Sequence, residues 1–252
     1  MRTLVLGDIH GNDKALLQCL KRSKFNPSED LLIQLGDVVD GYAHVKQCVN
    51  ILLRILNLIC IKGNHDDWFN KFLQTGLHPQ NWHQGGIGTR DSYTSSEGVI
   101  FPDSHIDFFR RQIPYYIDDK NRCFVHGGFN RHEPIKGQSE HVLIWDRDLW
   151  ASAMSFKEMT PIKEGSKYKF KMKDNFSEVF IGHTATLSYM EDIFPFTGEQ
   201  QRITTPMKAA NIWNLDTGCG WPSGKLTIMD VDTNEYWQSD LSGDLYPGEQ
   251  TR

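Results

Sequence analysis

No apolar stretch in this chain approaches the ~18 residues that a membrane-spanning helix requires. The early run Leu4 to Leu6 ends at Gly7-Asp8 and is far too short for the apolar segment of a secretory leader. There is no Cys-x-x-Cys pair, and the five cysteines, Cys19, Cys48, Cys60, Cys123 and Cys219, are an odd number. That pattern argues against a disulfide framework and for reduced thiols in a cytoplasmic protein. Four of them lie in apolar, periodic stretches and read as buried; Cys219 stands in a Gly-rich loop. An excess of basic charge is also missing: 27 Lys and Arg face 32 Asp and Glu, a formal net charge of -5. Stable nucleic-acid binding needs a basic surface and is not expected, whereas a small phosphorylated substrate needs only a locally positive site. Internal repeats, low-complexity tracts and long linkers are absent, so residues 1–252 read as a single domain. A composition shift across 130–175 reads as a surface insertion, with Lys163-Glu164-Gly165-Ser166-Lys167 as its excursion.

What is present is an alternation of apolar runs. Thr3 to Leu6, Leu31 to Leu35 and Leu58 to Ile61 read as short buried strands. Between them, Leu16, Leu17 and Leu20 mark one helix, capped at Asn12 or Asp13 and broken at Asn26-Pro27-Ser28. Val45, Val49, Leu52, Leu53 and Leu56 mark a second. The result is a β-α-β-α-β pattern and an α/β fold with a largely parallel sheet. Short helices are predicted over Trp68 to Thr75 and His105 to Gln112, and further strands over Arg122 to Val125, Glu178 to Ile181, Asn211 to Leu215, Lys225 to Val231 and Tyr236 to Ser239.

Five short motifs follow predicted strands: Gly7-Asp8-Ile9-His10-Gly11, Gly36-Asp37-Val38-Val39-Asp40, Gly63-Asn64-His65-Asp66, His126-Gly127-Gly128 and Gly182-His183-Thr184. In α/β sheets the loops at the C-terminal strand ends converge, so residues this far apart in sequence can meet. Asp, His and Asn are hard or borderline donors that suit manganese first, with iron or zinc as alternatives, better than an all-thiolate site would. Asp8, His10 and Asp37 can hold one ion; Asp37, Asn64, His126 and His183 can hold a second, with the Asp37 carboxylate bridging. Two such ions about 3.5–4 Å apart share a water and make hydroxide available for in-line attack on phosphorus. His65 is suited to protonate the departing alkoxide, and Asp40 to orient it.

These blocks resemble those of the calcineurin-like metallophosphoesterase superfamily, and most of all its phosphoprotein phosphatase branch. Trp145-Asp146-Arg147-Asp148, the stretch from Trp82 to Gly86, and Asp216-Thr217-Gly218-Cys219 followed by Gly224-Lys225-Leu226-Thr227 resemble segments of bacterial and bacteriophage protein phosphatases. The resemblance implies two packed mixed β-sheets flanked by helices, with a dimetal site at one rim. It also implies that Arg147 binds substrate phosphate through its bidentate fork, that Asp66 supports the ligands, and that Cys219 borders the rim as an inert thiol. One departure stands out. The family's second block continues Asp-Arg-Gly, its arginine clamping phosphate, whereas this chain reads Asp40-Gly41-Tyr42. Arg90 is a candidate substitute, although a surface role suits it better. His44, His78, His83, His105, His132 and His141 lack the strand-end glycine context and read as surface or loop residues.

The expected activity is phosphomonoester hydrolysis by a serine/threonine protein phosphatase, with phosphotyrosine as a further target. The substrate would be a phosphorylated protein or a small phosphate ester, with no membrane partner. The alternative is a dinucleoside polyphosphate hydrolase of the diadenosine tetraphosphate type, with Trp82 or Tyr42 as a stacking platform. A binding scaffold without chemistry is disfavoured because all six ligands and His65 are intact.

Overall fold

A computed structural model describes residues 1–80, 82, 84–159, 176–192, 200–249 and 251. The chain opens with β1 (Thr3–Leu6), α1 (Asp13–Arg22), β2 (Leu31–Gln34), α2 (Val45–Leu52) and β3 (Asn57–Cys60), the expected alternation. Then follow α3 (Asn64–Thr75), α4 (Gly86–Asp91), β4 (Thr94–Ser95), β5 (Gly98–Val99), α5 (Asp103–Arg110), β6 (Tyr115–Ile117) and β7 (Arg122–Val125). Helices α6 (Glu140–Trp145) and α7 (Asp148–Met159) precede β8 (Glu178–Ile181) and a 3-10 turn at Thr186–Ser188. The chain continues through β9 (Met190–Asp192), β10 (Gln200–Arg202), β11 (Met207–Ala209), β12 (Ile212–Asn214), β13 (Thr227–Asp230), β14 (Tyr236–Gln238) and α8 (Ser242–Leu245).

Two five-stranded mixed sheets organise these elements, in the orders β14-β13-β1-β2-β3 and β11-β12-β8-β7-β6. In the first, β1, β2 and β3 run parallel out to one edge and β13 and β14 are antiparallel at the other; in the second, β12, β8 and β7 form a parallel centre between antiparallel β11 and β6. The inner faces meet in a core of Val5, Ile33, Leu35, Ile61, Phe124, Phe180, Leu215, Met229 and Val231. Phe124 and Phe180 stack there at 5.0 Å between ring centroids. Side chains of this size, removed from water, each contribute about 1.5–3 kcal/mol, and together they fix one sheet against the other. Leu4, Leu6 and Leu32 face α1, α2, α3 and α5 on the outer side of the first sheet. Cys123, Val125, Val179 and Ile181 pack with α6 and α7 outside the second. The architecture is therefore the α/β arrangement of two mixed sheets flanked by helices that the family resemblance implied, rather than the one largely parallel sheet read from periodicity.

Several sequence expectations need correction. In α1, Ala15, Leu16 and Cys19 are buried and Asn12 caps the helix by accepting from the Ala15 N–H at 2.9 Å. Leu17 is exposed, because one residue beyond Leu16 turns about 100° away from the buried face. Leu53 and Leu56 are also exposed, since α2 has ended at Leu52. Helix α3 begins at Asn64 rather than Trp68: the Asp66 carboxylate reaches back to accept from the Gly63 N–H at 3.3 Å and satisfies that donor, so the helix starts four residues early. Residues of the expected insertion do not all lie on the surface. Ile135, Leu143, Leu149, Trp150 and Ala153 are buried in the second sheet's helical core because α6 and α7 cover it. The segment Lys163 to Lys167 lies outside the described residues. No helix among the described residues is long and apolar enough to cross a membrane.

Candidate active site

The tips of β1, β2, β7 and β8 and the first turn of α3 deliver the motif residues to one place. Four of those residues, His10, Asp37, Asp40 and His183, have positive φ angles of 50°, 54°, 64° and 65°. Non-glycine residues avoid this left-handed region, at a cost of about 1–3 kcal/mol each where they are strained into it. Here the conformation turns each side chain sharply off its strand end and back toward the others.

Asp37 is the centre of the cluster. Its Oδ2 lies 3.4 Å from His126 Nε2, 3.8 Å from His10 Nε2 and 4.0 Å from His65 Nε2. The other ring nitrogens are turned to fixed partners: His126 Nδ1–H donates to the Leu35 carbonyl at 2.8 Å, and His10 Nδ1–H to the Val39 carbonyl at 3.0 Å. With Nδ1 so engaged, Nε2 is the nitrogen each ring turns toward Asp37, the one that a bound metal would use. Asn64 Oδ1 lies 3.0 Å from His126 Nε2. Two groups, Asp8–His10–Asp37 and Asp37–His126–His183, have ligand atoms within 4.8 Å of one another and share Asp37. Those are the two sets expected from the sequence, with Asn64 beside the second.

The residues fit a pair of cations. Asp8 Oδ1 and His183 Nε2 are buried without a hydrogen-bond partner in the protein, which is costly unless something else meets them. Burial, Asp216 and Asp37 push the Asp8 carboxyl well above the usual range despite His126, as expected where negative charge is crowded without a cation. Burial also raises the Asp37 carboxyl, but the imidazoles of His126, His65 and His10 hold it well below the usual range. Burial, with His126 and Arg147 nearby, holds His183 well below the usual imidazole range, as its neutral base.

His65 and Asp40 form the second part of the site. Asp40 Oδ2 accepts from His65 Nδ1–H at 2.6 Å and from the Trp82 indole N–H at 2.6 Å; Thr89 donates to Asp40 Oδ1 at 2.6 Å. The sequence did not single out Thr89, and it offered Trp82 as a stacking platform. Both lie beneath Asp40, and Trp82 is 1% exposed. Tyr42, the other proposed platform, is fully buried. The signal that pointed to Trp82 was its place ahead of Gly85-Gly86. Gly85, just ahead of α4, lies against Asp40 and Gly41, and Gly86 lies against the Trp82 ring; a Cβ on Gly85 would collide with the Gly41 N.

Asp66 is buried between the loop after β2 and the start of α3. Its Oδ1 accepts from the Val38 and Val39 N–H groups at 2.9 and 3.3 Å, and its Oδ2 from Gln112 at 2.8 Å. Arg147 is exposed beside His183. Gly41 has φ of 113°, and a Cβ there would lie 2.8 Å from the His10 carbonyl oxygen. No arginine can be carried at this backbone without moving it. Arg90 is exposed on α4.

Trp68, Trp145 and Trp221 are half-buried at the rim, with ring centroids 5.0 Å from His65, 5.8 Å from His183 and 6.4 Å from His10, respectively. Trp150 is core. Cys219 is buried and burial pushes its thiol well up, which disfavours the reactive thiolate; all five cysteines are free. Among the remaining histidines, His44, His78, His132 and His141 stand on loops or helix ends away from the ligand cluster, and His83 lies outside the described residues. His105 departs from expectation: it is buried in α5 between Tyr93 and Asn50.

Against known proteins, residues 1–187 match the model of the calcineurin-like phosphoesterase family. A symmetrical bis(5'-nucleosyl)-tetraphosphatase of Pseudomonas fluorescens (strain SBW25) is 24% identical over 284 residues, covering 97% of this chain and 96% of that protein. A solved structure described as a candidate diadenosine tetraphosphatase superposes with a TM-score of 0.61 at 16% identity, covering 94% of this chain and 92% of that one. A protein serine/threonine phosphatase of Saccharomyces cerevisiae superposes with a TM-score of 0.56 at 12% identity, covering 100% of this chain and 82% of that one. At these identities the structural likeness speaks for the fold alone. The family match runs through every motif-bearing strand tip from Asp8 to His183, and this chain belongs to the calcineurin-like phosphoesterase family: it is a hydrolase of phosphate esters.

Proposed function

We propose that the protein is a cytoplasmic dinucleoside polyphosphate hydrolase of the diadenosine tetraphosphate type, the whole chain acting as one unit. Asp8, His10, Asp37, Asn64, His126 and His183 are its ligands for two divalent ions, manganese first and iron or zinc as alternatives. Such ions, when bound, supply Lewis acidity toward phosphoryl oxygens and toward water. The chain supplies the rest. His65 Nε2 faces Asp37 across 4.0 Å and is placed to give its proton to the leaving oxygen. Asp40 fixes the ring through Nδ1, with Trp82 and Thr89 holding Asp40 itself. Arg147, exposed beside His183, grips phosphate from the rim.

The observation that carries this reading is the closed backbone at Gly41. A monoester phosphate offers one anionic group, and without the clamp arginine its grip is weakened. A polyphosphate chain flanked by two nucleosides offers further handles away from the scissile bond. The end-to-end likeness to relatives named as symmetrical bis(5'-nucleosyl)-tetraphosphatases supports the same choice. A second reading, a protein phosphatase acting on phosphoserine or phosphothreonine and also on phosphotyrosine, is favoured by Arg147 alone on an open rim beside Trp145. Initial rates with manganese on diadenosine tetraphosphate and on a phosphoserine peptide separate the two. The dinucleotide should have the higher kcat/KM; the reverse order rejects the proposal in favour of the second reading.

A further inference from the structure

A cleft of about 390 Å3 opens beside the ligand cluster, lined by Ala185, Leu187, Ser188, Arg202, Trp221 and Ser223. None of these residues belongs to the metal-ligand motifs. Two of them join the cleft to the site. Trp221 lies edge-on to His10, with ring centroids 6.4 Å apart and planes at 74°, and Ala185 is two residues beyond His183. The cleft therefore begins where the ligand cluster ends.

Its wall carries an arginine with little else to do. Arg202 is exposed, and its Nη1 donates to the Leu187 carbonyl at 2.8 Å. Among the described residues it has no carboxylate partner. That backbone bond fixes the guanidinium on the cleft wall and leaves N–H donors for an acceptor. Neighbouring bonds make the placement firm. Thr186 Oγ1 donates to the Ile203 carbonyl at 2.9 Å, and the Ile203 N–H donates to the Tyr189 carbonyl at 3.1 Å. These tie the end of β10 to the turn that leaves His183. Leu187 and Ala185 give the cleft an apolar side, and Ser188 and Ser223 add hydroxyls.

We propose that this cleft is a nucleoside-phosphate subsite, in which Arg202 binds a phosphate remote from the scissile bond and Trp221 stacks on the base. The inference rests on the dinucleotide reading above and deepens it. An indole face is worth a large part of the affinity for a base whatever its identity, and a guanidinium fork matches phosphate oxygens. Arg202 adds, from this cleft, positive charge that the backbone at Gly41 cannot carry.

The test measures equilibrium binding of ADP and of inorganic phosphate to the full-length, manganese-loaded protein, together with steady-state kinetics on diadenosine tetraphosphate. Arg202→Ala should weaken ADP binding about tenfold and raise KM for the dinucleotide by a similar factor, with kcat changed less than about threefold. Arg202→Lys should recover part of the loss, since the charge remains and the fork does not. Trp221→Ala should weaken ADP binding about tenfold while changing phosphate binding less than about twofold. Circular dichroism and thermal melting of each variant check that the fold is kept. An ADP affinity unchanged in both alanine variants overturns the proposal. So does an equal loss of ADP and phosphate affinity in Trp221→Ala, which would mean that no nucleoside is read. Wild-type protein that binds ADP through these residues yet cleaves a phosphopeptide faster than the dinucleotide keeps the cleft and rejects the substrate reading. Wild-type protein that cleaves the dinucleotide with a KM indifferent to both variants keeps the substrate reading and rejects the cleft.

Discussion

Asp40 stands on the turn after β2 and His65 in the first turn of α3, and a 2.6 Å hydrogen bond joins Asp40 Oδ2 to His65 Nδ1. A carboxylate only accepts, so the imidazole N–H donates and Nε2 is the nitrogen left facing Asp37. If that nitrogen delivers a proton to the leaving group, its removal should matter most when the leaving group is poor. His65→Ala should lower kcat by about 100- to 10,000-fold on alkyl phosphates or dinucleotides. The loss should be much smaller on p-nitrophenyl phosphate, whose leaving group needs no proton. Equal losses on both substrates would remove His65 from this role.

Trp82 is buried and gives its indole N–H to the same Asp40 oxygen. Trp82→Phe keeps an aromatic ring but loses the second ring of the indole and deletes one hydrogen bond to a buried carboxylate, worth about 1.5–3 kcal/mol before the cavity left behind is added. Denaturant unfolding should show that loss, and kcat should fall severalfold while bound metal stays at the wild-type level. A variant as stable as wild type would show that this bond contributes nothing.

Asp37 faces three imidazole Nε2 atoms within 4.0 Å and belongs to both ligand groups. Asp37→Asn should therefore disturb both ions at once. Metal analysis should find bound manganese reduced below half of the wild-type content, and activity should fall by about a thousandfold. Asp8→Asn, which touches one group only, should lose less metal. If Asp37→Asn retained the full complement, the shared role of Asp37 would be wrong.

Gly41→Arg restores the family's sequence without restoring its clamp. With φ at 113° and the His10 carbonyl oxygen 2.8 Å from a built Cβ, the substitution must move the His10 turn. We expect a stability loss of about 1–3 kcal/mol and no gain in kcat/KM on a phosphomonoester. A gain in activity at unchanged melting temperature would show that the loop adapts freely.

His105 gives a pH dependence away from the metal ligands. Its Nε2–H donates to Asn50 Oδ1 at 3.2 Å and its Nδ1 accepts from the Tyr93 hydroxyl at 2.9 Å, so both ring nitrogens are satisfied in the neutral form. Burial, helped by Lys46, lowers its pKa from the ordinary value of 6.5. Below pH 6.5 the unfolded chain takes up a proton that the folded chain refuses, so the stability that His105 contributes is full above that pH and declines as pH falls. The slope from one proton is at most about 1.4 kcal/mol per pH unit. His105→Gln should flatten the curve of unfolding free energy between pH 7 and 5. An identical slope in the variant would exclude His105 as a source.

The strand tips were legible in the sequence because each is a short apolar run stopped by glycine and a polar residue. The six candidate ligands and the His65–Asp40 pair came with them, since their residue types fit only a narrow chemistry. Helix faces were less legible. Leu17, Leu53 and Leu56 match the hydrophobic count but face water, because a run of leucines does not say which residue ends the helix or which lies 100° off its face. His105 is a further case: a histidine in a polar-looking helix becomes core only when Tyr93 and Asn50 are brought to it from elsewhere in the chain.

The sequence by itself determined the reaction class, because Asp, His and Asn at glycine-punctuated strand ends are a chemical signature that needs no coordinates. It also showed that an arginine was missing at Gly41. Only the tertiary structure decided why it is missing, through a left-handed backbone pressed against His10, and that Trp82 supports Asp40 instead of a substrate. Only the structure brought Arg202 and Trp221 to one cleft beside His10. The physical reason is range: ligand chemistry is written in residue type and local spacing, whereas burial, close backbone approach and the neighbours of a side chain depend on segments far apart in sequence that meet only when the two sheets pack.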